Sequence, residues 1–303
     1  MKIIIAAGTG FLGKNLEQYF TEKGHQVYIL TRSPKRRNEF HWNARTLGEW
    51  KNLLETTDVL INLAGKSVDC RYTEKSRNEI YHSRIDSTRV LQEAVDQCNH
   101  KPKIWLNASS ATLYIHSETQ LNTEENGIIG DDFSMNICKS WEQEFFKVEN
   151  ENIRKVALRT SIVIGNNGGA FPKMKILTKF GLGGKQGNGN QNVSWIHITD
   201  FCKAVEHIIS NENISGAINI TAPHPLPNEI FMKNLRKAMK IPFGLNAPVW
   251  QLEIASVLLQ TETELLLKSR NVYPEKLVKS GFMFIYPSVE KAFDDLIHKN
   301  QNS

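Results

Sequence analysis

Cysteine is scarce in this chain: Cys70, Cys98, Cys138 and Cys202 are spread over 303 residues and form no CxxC pair. That spacing supports neither a metal cluster nor a disulfide framework, and it fits a reducing cytosol. No apolar run approaches the length of a membrane span, and Met1 leads straight into an apolar stretch, so neither membrane insertion nor a signal or transit peptide is expected. The expected location is the cytoplasm. Strong charge of one sign is also missing. A net charge of +5 with scattered basic residues gives little electrostatic support for nucleic acid and makes an anionic small molecule the easier partner. Neither nucleic acid nor a membrane is expected as a partner, and the chain could be a monomer or a homodimer. Internal repeats and low-complexity segments are absent. What remains, 40% hydrophobic and 23% charged, is the composition of a globular protein with one large domain or one plus a small partner.

The first turn organises the rest. The apolar run Ile3-Ile4-Ile5-Ala6-Ala7 reaches Gly8-Thr9-Gly10-Phe11-Leu12-Gly13, followed by Leu16, Tyr19 and Phe20 at helical spacing. Strand, glycine turn and helix in this order are the context in which GxGxxG binds a dinucleotide. The glycines permit a tight turn, close approach of a pyrophosphate and close helix packing, and the helix points its first amides at the phosphates. Gln26 to Leu30 reads as the second strand, and Thr31-Arg32 follows where an NAD enzyme carries an acidic residue for the ribose 2′-hydroxyl. Arg32 instead suits a 2′-phosphate, since a guanidinium pairs with phosphate through a planar fork of donors. NADP is therefore favoured over NAD. Lys35, Arg36 and Arg37 read equally well as a solvated basic loop.

Further along, Asp58–Gly65, Lys103–Ala108 and Val156–Ile164 read as buried strands, each of the last two following a helical stretch, Glu74–Cys98 and Ser134–Glu149. This alternation predicts an α/β fold, a Rossmann-type doubly wound parallel sheet that binds ligands beyond the carboxyl ends of its strands. The expected domains are a nucleotide-binding unit over 1–222, including a substrate-side insertion over 168–198, and a small helical cap over 223–303. The glycine and amide loop from Gly181 to Asn190 should border the site, and Val249–Lys268 reads as one helix.

With these residues in hand, the chain resembles the extended short-chain dehydrogenase/reductases, specifically the atypical epimerase-like branch with a C-terminal domain of unknown function. The marks are the glycine turn, Leu63-Ala64-Gly65, Ser83-Arg84-Ile85-Asp86-Ser87-Thr88, Leu158-Arg159-Thr160, Ser194-Trp195-Ile196-His197, and Pro274-Glu275-Lys276-Leu277 with Gly281-Phe282. The resemblance spans nearly the whole chain and implies that Gly8, Thr9, Gly10, Phe11, Leu12, Gly13, Thr31, Arg32, Leu63, Ala64, Gly65 and Arg84 hold the cofactor. Ala6-Ala7 replaces the usual Thr-Gly, a departure that three remaining glycines should tolerate. The family's general acid/base Tyr and its Lys four residues on are replaced by Ser134 and Cys138, while Ser110 matches the serine that holds the substrate oxygen. Val193 stands where sugar-nucleotide enzymes often place an arginine.

Ser110 and Tyr114 are the catalytic candidates that remain. Tyr114 could equally pack against the cofactor loop, Asp132 could cap the helix that follows, Cys138 could be a small buried group, and His197 and Asp200 could serve structure alone. Arg77, Tyr81, Arg84 and Thr88 share a helix face that, with Arg71, would present guanidiniums to an anionic substrate or to solvent. Arg270, Tyr273 and Lys276 are the cap residues expected to reach toward the pocket, although Lys276 also reads as solvated in a helix begun by Pro274. Two functions follow: an NADP-dependent oxidoreductase or epimerase-like protein without the usual dyad, or a non-catalytic NADP-sensing protein that regulates a partner. No metal site is expected.

Overall fold

The computed structural model describes residues 1–148, 152–258 and 262–298. Its centre is a seven-stranded parallel sheet made of β1 (Lys2–Ala6), β2 (Gln26–Thr31), β3 (Glu39–His41), β4 (Val59–Asn62), β5 (Ile104–Ser110), β6 (Arg154–Thr160) and, from later in the chain, Gly216–Ile220. The strand order is β3-β2-β1-β4-β5-β6 followed by the late strand, so the chain reverses direction across the sheet between β1 and β4. The helices α1 (Phe11–Glu22), α2 (Glu74–Asp96) and α3 (Phe133–Phe146) supply crossovers. Strand β1 shows why the sheet is covered on both sides: Ile3 and Ile5 enter one apolar cluster with Phe20 and Phe201, while Ile4 and Ala6 enter another with Trp105 and Phe145. Period-two alternation with no polar face is what a parallel interior strand requires.

The stretch Val156–Ile164, expected as one strand, is two. Strand β6 stays in the main sheet, Ser161 turns away with its amide on Ile220 O at 3.1 Å, and β7 (Ile162–Ile164) pairs instead with Trp195–His197. After β7 come α4 (Phe171–Lys179), β8 (Asn192–Val193), β9 (Trp195–His197), α5 (Ile198–Ser210), β10 (the late strand Gly216–Ile220), β11 (Leu226–Pro227) and α6 (Asn228–Ala238). The stretch Val249–Lys268, also expected as one helix, holds α7 (Val249–Leu258) and the short α8 (Glu264–Leu267), with 259–261 outside the described residues. Helices α9 (Glu275–Lys279) and α10 (Val289–His298) finish the fold.

The C-terminal segment shares its apolar surfaces with the rest of the molecule. Leu277 lies in the cluster of the main sheet, and Val289, Ala292, Phe293 and Leu296 pack with Phe171 and Phe231. Residues 269–273 are stitched in place: Ser269 Oγ donates to Ser117 O, Arg270 N to Asn192 O, Val272 N to Ser194 Oγ and Tyr273 N to Asn122 O, all at 2.7–3.0 Å. The outward groups of the edge strand β10 are closed by side chains. The Glu124 carboxylate accepts from Asn219 N at 2.9 Å, and Lys276 Nζ donates to Ala217 O at 2.9 Å. Among the described residues no helix is long and apolar enough to cross a membrane.

Candidate functional site

The glycine turn has the geometry its sequence implies. A Cβ on Gly13 would lie 2.3 Å from Gly8 O, so α1 touches the turn only because Gly13 has no side chain. A Cβ on Gly8 would meet Ile29 Cδ1 at 2.7 Å, whereas one on Gly10 would meet open space. Gly10 and Thr9 are exposed, Leu12 packs on the main core, and the Phe11 ring lies against Gly165, Gly168 and Gly169. Helix α1 has no side-chain cap at Gly10 and no acid in its first turn, which leaves its first amides and its positive end for an anion. Ala7 adopts φ 56°, a left-handed backbone that favours glycine.

At the end of β2, Thr31 is buried and Arg32 is exposed, with no hydrogen bond or ion pair among the described residues. Its neighbour Arg36 is committed elsewhere: Nη1 pairs with Glu17 and Nε with Glu39, both at 2.8 Å. These contacts hold the loop and engage both nearby acids. At the end of β4, Leu63 N donates to Ala6 O and Ala64 N to Asn62 Oδ1, each at 3.0 Å. Gly65 then comes so close to Arg84 that an added Cβ would sit 3.2 Å from Cζ.

Arg84 is half-buried on α2, donating from Nη1 to Ile80 O and Lys66 O, with its guanidinium 5.0 Å from the Trp141 ring centre. Burial lowers its pKa, opposed by Cys138 and Tyr72 within electrostatic reach. Thr88 is buried with it, but Arg77 lies over the Phe133 ring and Tyr81 is exposed. The helix face predicted from spacing is therefore divided between interior and surface.

Ser110 ends β5 and caps the following turn, its Oγ accepting from Thr112 N at 3.2 Å. Tyr114 is in the interior. Its hydroxyl donates to Asn219 Oδ1 at 2.9 Å and accepts from Arg159 Nη1 at 2.8 Å, while Arg159 forks onto Glu142 at 2.7 and 2.9 Å. Both functions of the Tyr114 hydroxyl are thus occupied, and burial raises its pKa further. Asp132 caps α3 through Met135 N and pairs with Lys268. His197 caps α5, and Asp200 accepts from Ile285 N and Tyr286 N, each at 2.8 Å. Cys138 is buried, which pushes its thiol up to about 12. Of the cap residues, Lys276 turns to the edge strand rather than to the site.

A group that sequence reasoning named only in part surrounds Ser134. Its hydroxyl donates to Glu264 of α8 and lies 3.4 Å from Tyr72 Oη. Tyr72 precedes α2, where Arg77 Nε donates to its carbonyl, its ring packs edge-on to Phe133 and its amide donates to Glu262. Burial holds its phenol at about 12, so it is protonated near neutral pH. Arg270 completes the group. Burial lowers its pKa, opposed by Asp132, Glu264, Cys138 and Tyr72, and the stitched segment 269–273 fixes its backbone. Arg270 is expected from the sequence to reach toward the pocket, whereas Tyr72 and Glu264 are not singled out by it, and nothing in the spacing joins the three.

Comparison with known proteins agrees with this architecture. Residues 3–221 match the NAD dependent epimerase/dehydratase family, and residues 247–296 match a domain of unknown function, DUF1731. The chain is 35% identical over 304 residues to the epimerase family protein YfhF of Bacillus subtilis, covering 98% of each. It superposes on the human epimerase family protein SDR39U1, solved with NADPH, with a TM-score of 0.90, 26% identity and full coverage of both chains. A UDP-N-acetylglucosamine 4-epimerase from Bacillus cereus shares the fold at a TM-score of 0.78 and 18% identity, over 100% of this chain and 97% of that one. A glycine turn, a parallel sheet in nucleotide-binding order and these matches lead to one assignment: the chain belongs to the NAD dependent epimerase/dehydratase family and carries a C-terminal domain of unknown function.

Proposed function

We propose that the protein is an NADP(H)-dependent oxidoreductase or epimerase-like enzyme acting on a small anionic substrate. The observation that carries this reading is the pair of half-buried guanidiniums, Arg84 and Arg270, each within electrostatic reach of Tyr72 and Cys138. Among the described residues neither has a carboxylate within ion-pair distance. Asp132 and Glu264 act on Arg270 only from beyond that distance. An incompletely compensated buried charge costs on the order of several kcal/mol, and a substrate carboxylate or phosphate would supply the missing counter-charge. The uncapped glycine turn suits a pyrophosphate and the unpaired Arg32 suits a 2′-phosphate. The NADPH held by the human relative supports the same cofactor.

A bound nicotinamide would exchange a hydride with a carbon of the substrate. The accompanying proton would come from Tyr72 Oη, and the phenolate left behind would face both guanidiniums, which offset its charge. Ser134 positions that hydroxyl from 3.4 Å, and Ser110 at the sheet edge would hold the substrate oxygen. Tyr114 has no part in this scheme, because its hydroxyl is spent inside the protein. NADPH oxidation should be measured against a panel of carboxylated and phosphorylated carbonyl compounds and sugar nucleotides, with uncharged analogues as controls. Turnover is expected with an anionic member only. Arg270→Ala should raise KM on the order of a hundredfold, and Tyr72→Phe should lower kcat with NADPH affinity unchanged. Absence of hydride exchange or epimerisation across the panel would overturn the reading.

One feature favours a second reading, a non-catalytic NADP sensor for a protein partner: by the resemblance, Ser134 and the buried Cys138 fall where the usual dyad would be. A sensor should change its partners with NADPH, and pull-downs that recover the same proteins with and without NADPH would count against it.

A further inference from the structure

Acidic residues are missing from two stretches of the chain. Residues 171–190 and 230–252, the second flanked by Glu229 and Glu253, hold eight lysines and arginines without one Asp or Glu, although the whole chain has a net charge of only +5. The remainder is therefore net negative. Lys173 pairs with Asp69 and Lys185 with Glu229, and the other six have no ion pair among the described residues. Along the sequence the cations look scattered, but the fold joins the two stretches. Leu245 N donates to Gly181 O at 2.7 Å, Gly184 N to Leu245 O at 3.1 Å and Ala247 N to Lys185 O at 2.9 Å.

This seam turns large apolar side chains toward solvent. Phe180 is 73% exposed, Phe243 63%, Leu245 62% and Leu182 50%, with the Phe243 ring against Gly181. On α7, close by in sequence, Trp250, Ile254 and Val257 are each more than half exposed and lie on one helix face. Single exposed apolar residues are ordinary, but a run of them beside cations marks a binding surface. Lys233, Arg236 and Lys237 line a shallow groove with Ile241 and Pro242, next to Phe243 in the chain.

We propose that this face docks the protein on an anionic lipid surface, with the aromatic and aliphatic side chains at the acyl boundary and the lysines on lipid headgroups. Such docking is peripheral and needs no spanning helix. Charge selects the occupant. A second copy would place like charges opposite one another, and nucleic acid would use the aromatic rings but not Leu182, Leu245, Ile254 or Val257. Docking of this kind does not depend on the proposed enzymatic activity.

Flotation of the full chain with vesicles tests it, using phosphatidylcholine alone and phosphatidylcholine mixed equally with phosphatidylglycerol. Binding is expected to the mixed vesicles only and to weaken with salt. The double variant Phe180→Ser/Phe243→Ser should lose at least roughly tenfold, and Lys179→Glu or Lys237→Glu roughly fivefold or more each. Melting temperature and NADPH affinity should stay at the parent values, which separates lost docking from lost folding. Failure of the parent to bind the mixed vesicles would overturn the proposal, as would a double variant that binds like the parent. So would a parent dimer that the same double variant converts to monomer, or equally tight aromatic-dependent binding to single-stranded DNA.

Discussion

Between Gly8 and Gly13 six consecutive residues make the nucleotide turn, whereas the polar group around Ser134 draws on Tyr72, Arg84, Glu264 and Arg270, with Ser134 and Glu264 separated by 130 positions. The turn is specified by local sterics: Gly13 meets Gly8, and the amides of α1 stay free because no side chain caps them. The polar group forms when the end of the chain is stitched onto β8 and onto Ser194 just beyond it. A local device can be recognised in isolation, but a site assembled by topology depends on the integrity of the whole molecule.

The strongest way to break this contrast is to remove the residues after Pro248. Leu277, Val289, Phe293 and Leu296 each contribute about 1.5–3 kcal/mol by burial, and their sum rivals the roughly 5–15 kcal/mol net stability of a protein. We expect no cooperative melting transition in the truncated chain, checked by calorimetry. A chain that still melts cooperatively and binds NADPH would mean that the nucleotide unit is independent of its C-terminal segment. A smaller effect should follow from Glu142→Ala, which leaves the Arg159 guanidinium buried without its partner. Urea unfolding should show a loss of about 3–5 kcal/mol, with Tyr114 losing its fixed contact as well.

Arg32→Ala sharpens the comparison from the other side, since it touches only the nucleotide end. The preference for NADPH over NADH should fall by roughly 1.5–3 kcal/mol in calorimetric titrations, with melting temperature unchanged, because Arg32 has no partner among the described residues to lose. Equal preference in parent and variant would make Arg32 a plain surface charge. The smallest expected change is Ala7→Gly. Relief of the left-handed backbone, about 1–2 kcal/mol, is offset by glycine entropy of roughly 0.5–1 kcal/mol. A net gain of about 0.5–1 kcal/mol in unfolding free energy is expected, and a loss would show that the Ala7 side chain makes contacts that outweigh the strain.

Legibility in the sequence followed the same division. Strand β1, the turn, α1 and the long α2 were readable because hydrophobic period and glycine spacing are properties of adjacent residues. The break at Ser161 was not, because Ile162–Ile164 is as apolar as the strand before it and the departure is set by pairing with Trp195–His197. Tyr114 read as a candidate from its place four residues after Ser110, yet its partners, Asn219 and Arg159, are fixed by long-range packing. Lys276 read as solvated beside Pro274, and its contact with β10 depends on α9 returning to the sheet. Tyr72 and Glu264 carried no periodic signal at all.

The bonds from Glu124 and Lys276 to the outer side of β10 have a consequence for how the protein meets other copies of itself. An uncovered edge strand is a template on which another chain can extend the sheet, the route to edge-to-edge aggregation. Here the template is blocked by two charged side chains, and Lys276 lies 59 positions later than the Ala217 carbonyl that it covers. A chain that has emerged only as far as β10 already carries Glu124 but not Lys276, so between completing that strand and delivering α9 the Ala217 carbonyl is uncovered and the edge is open to self-association on that side.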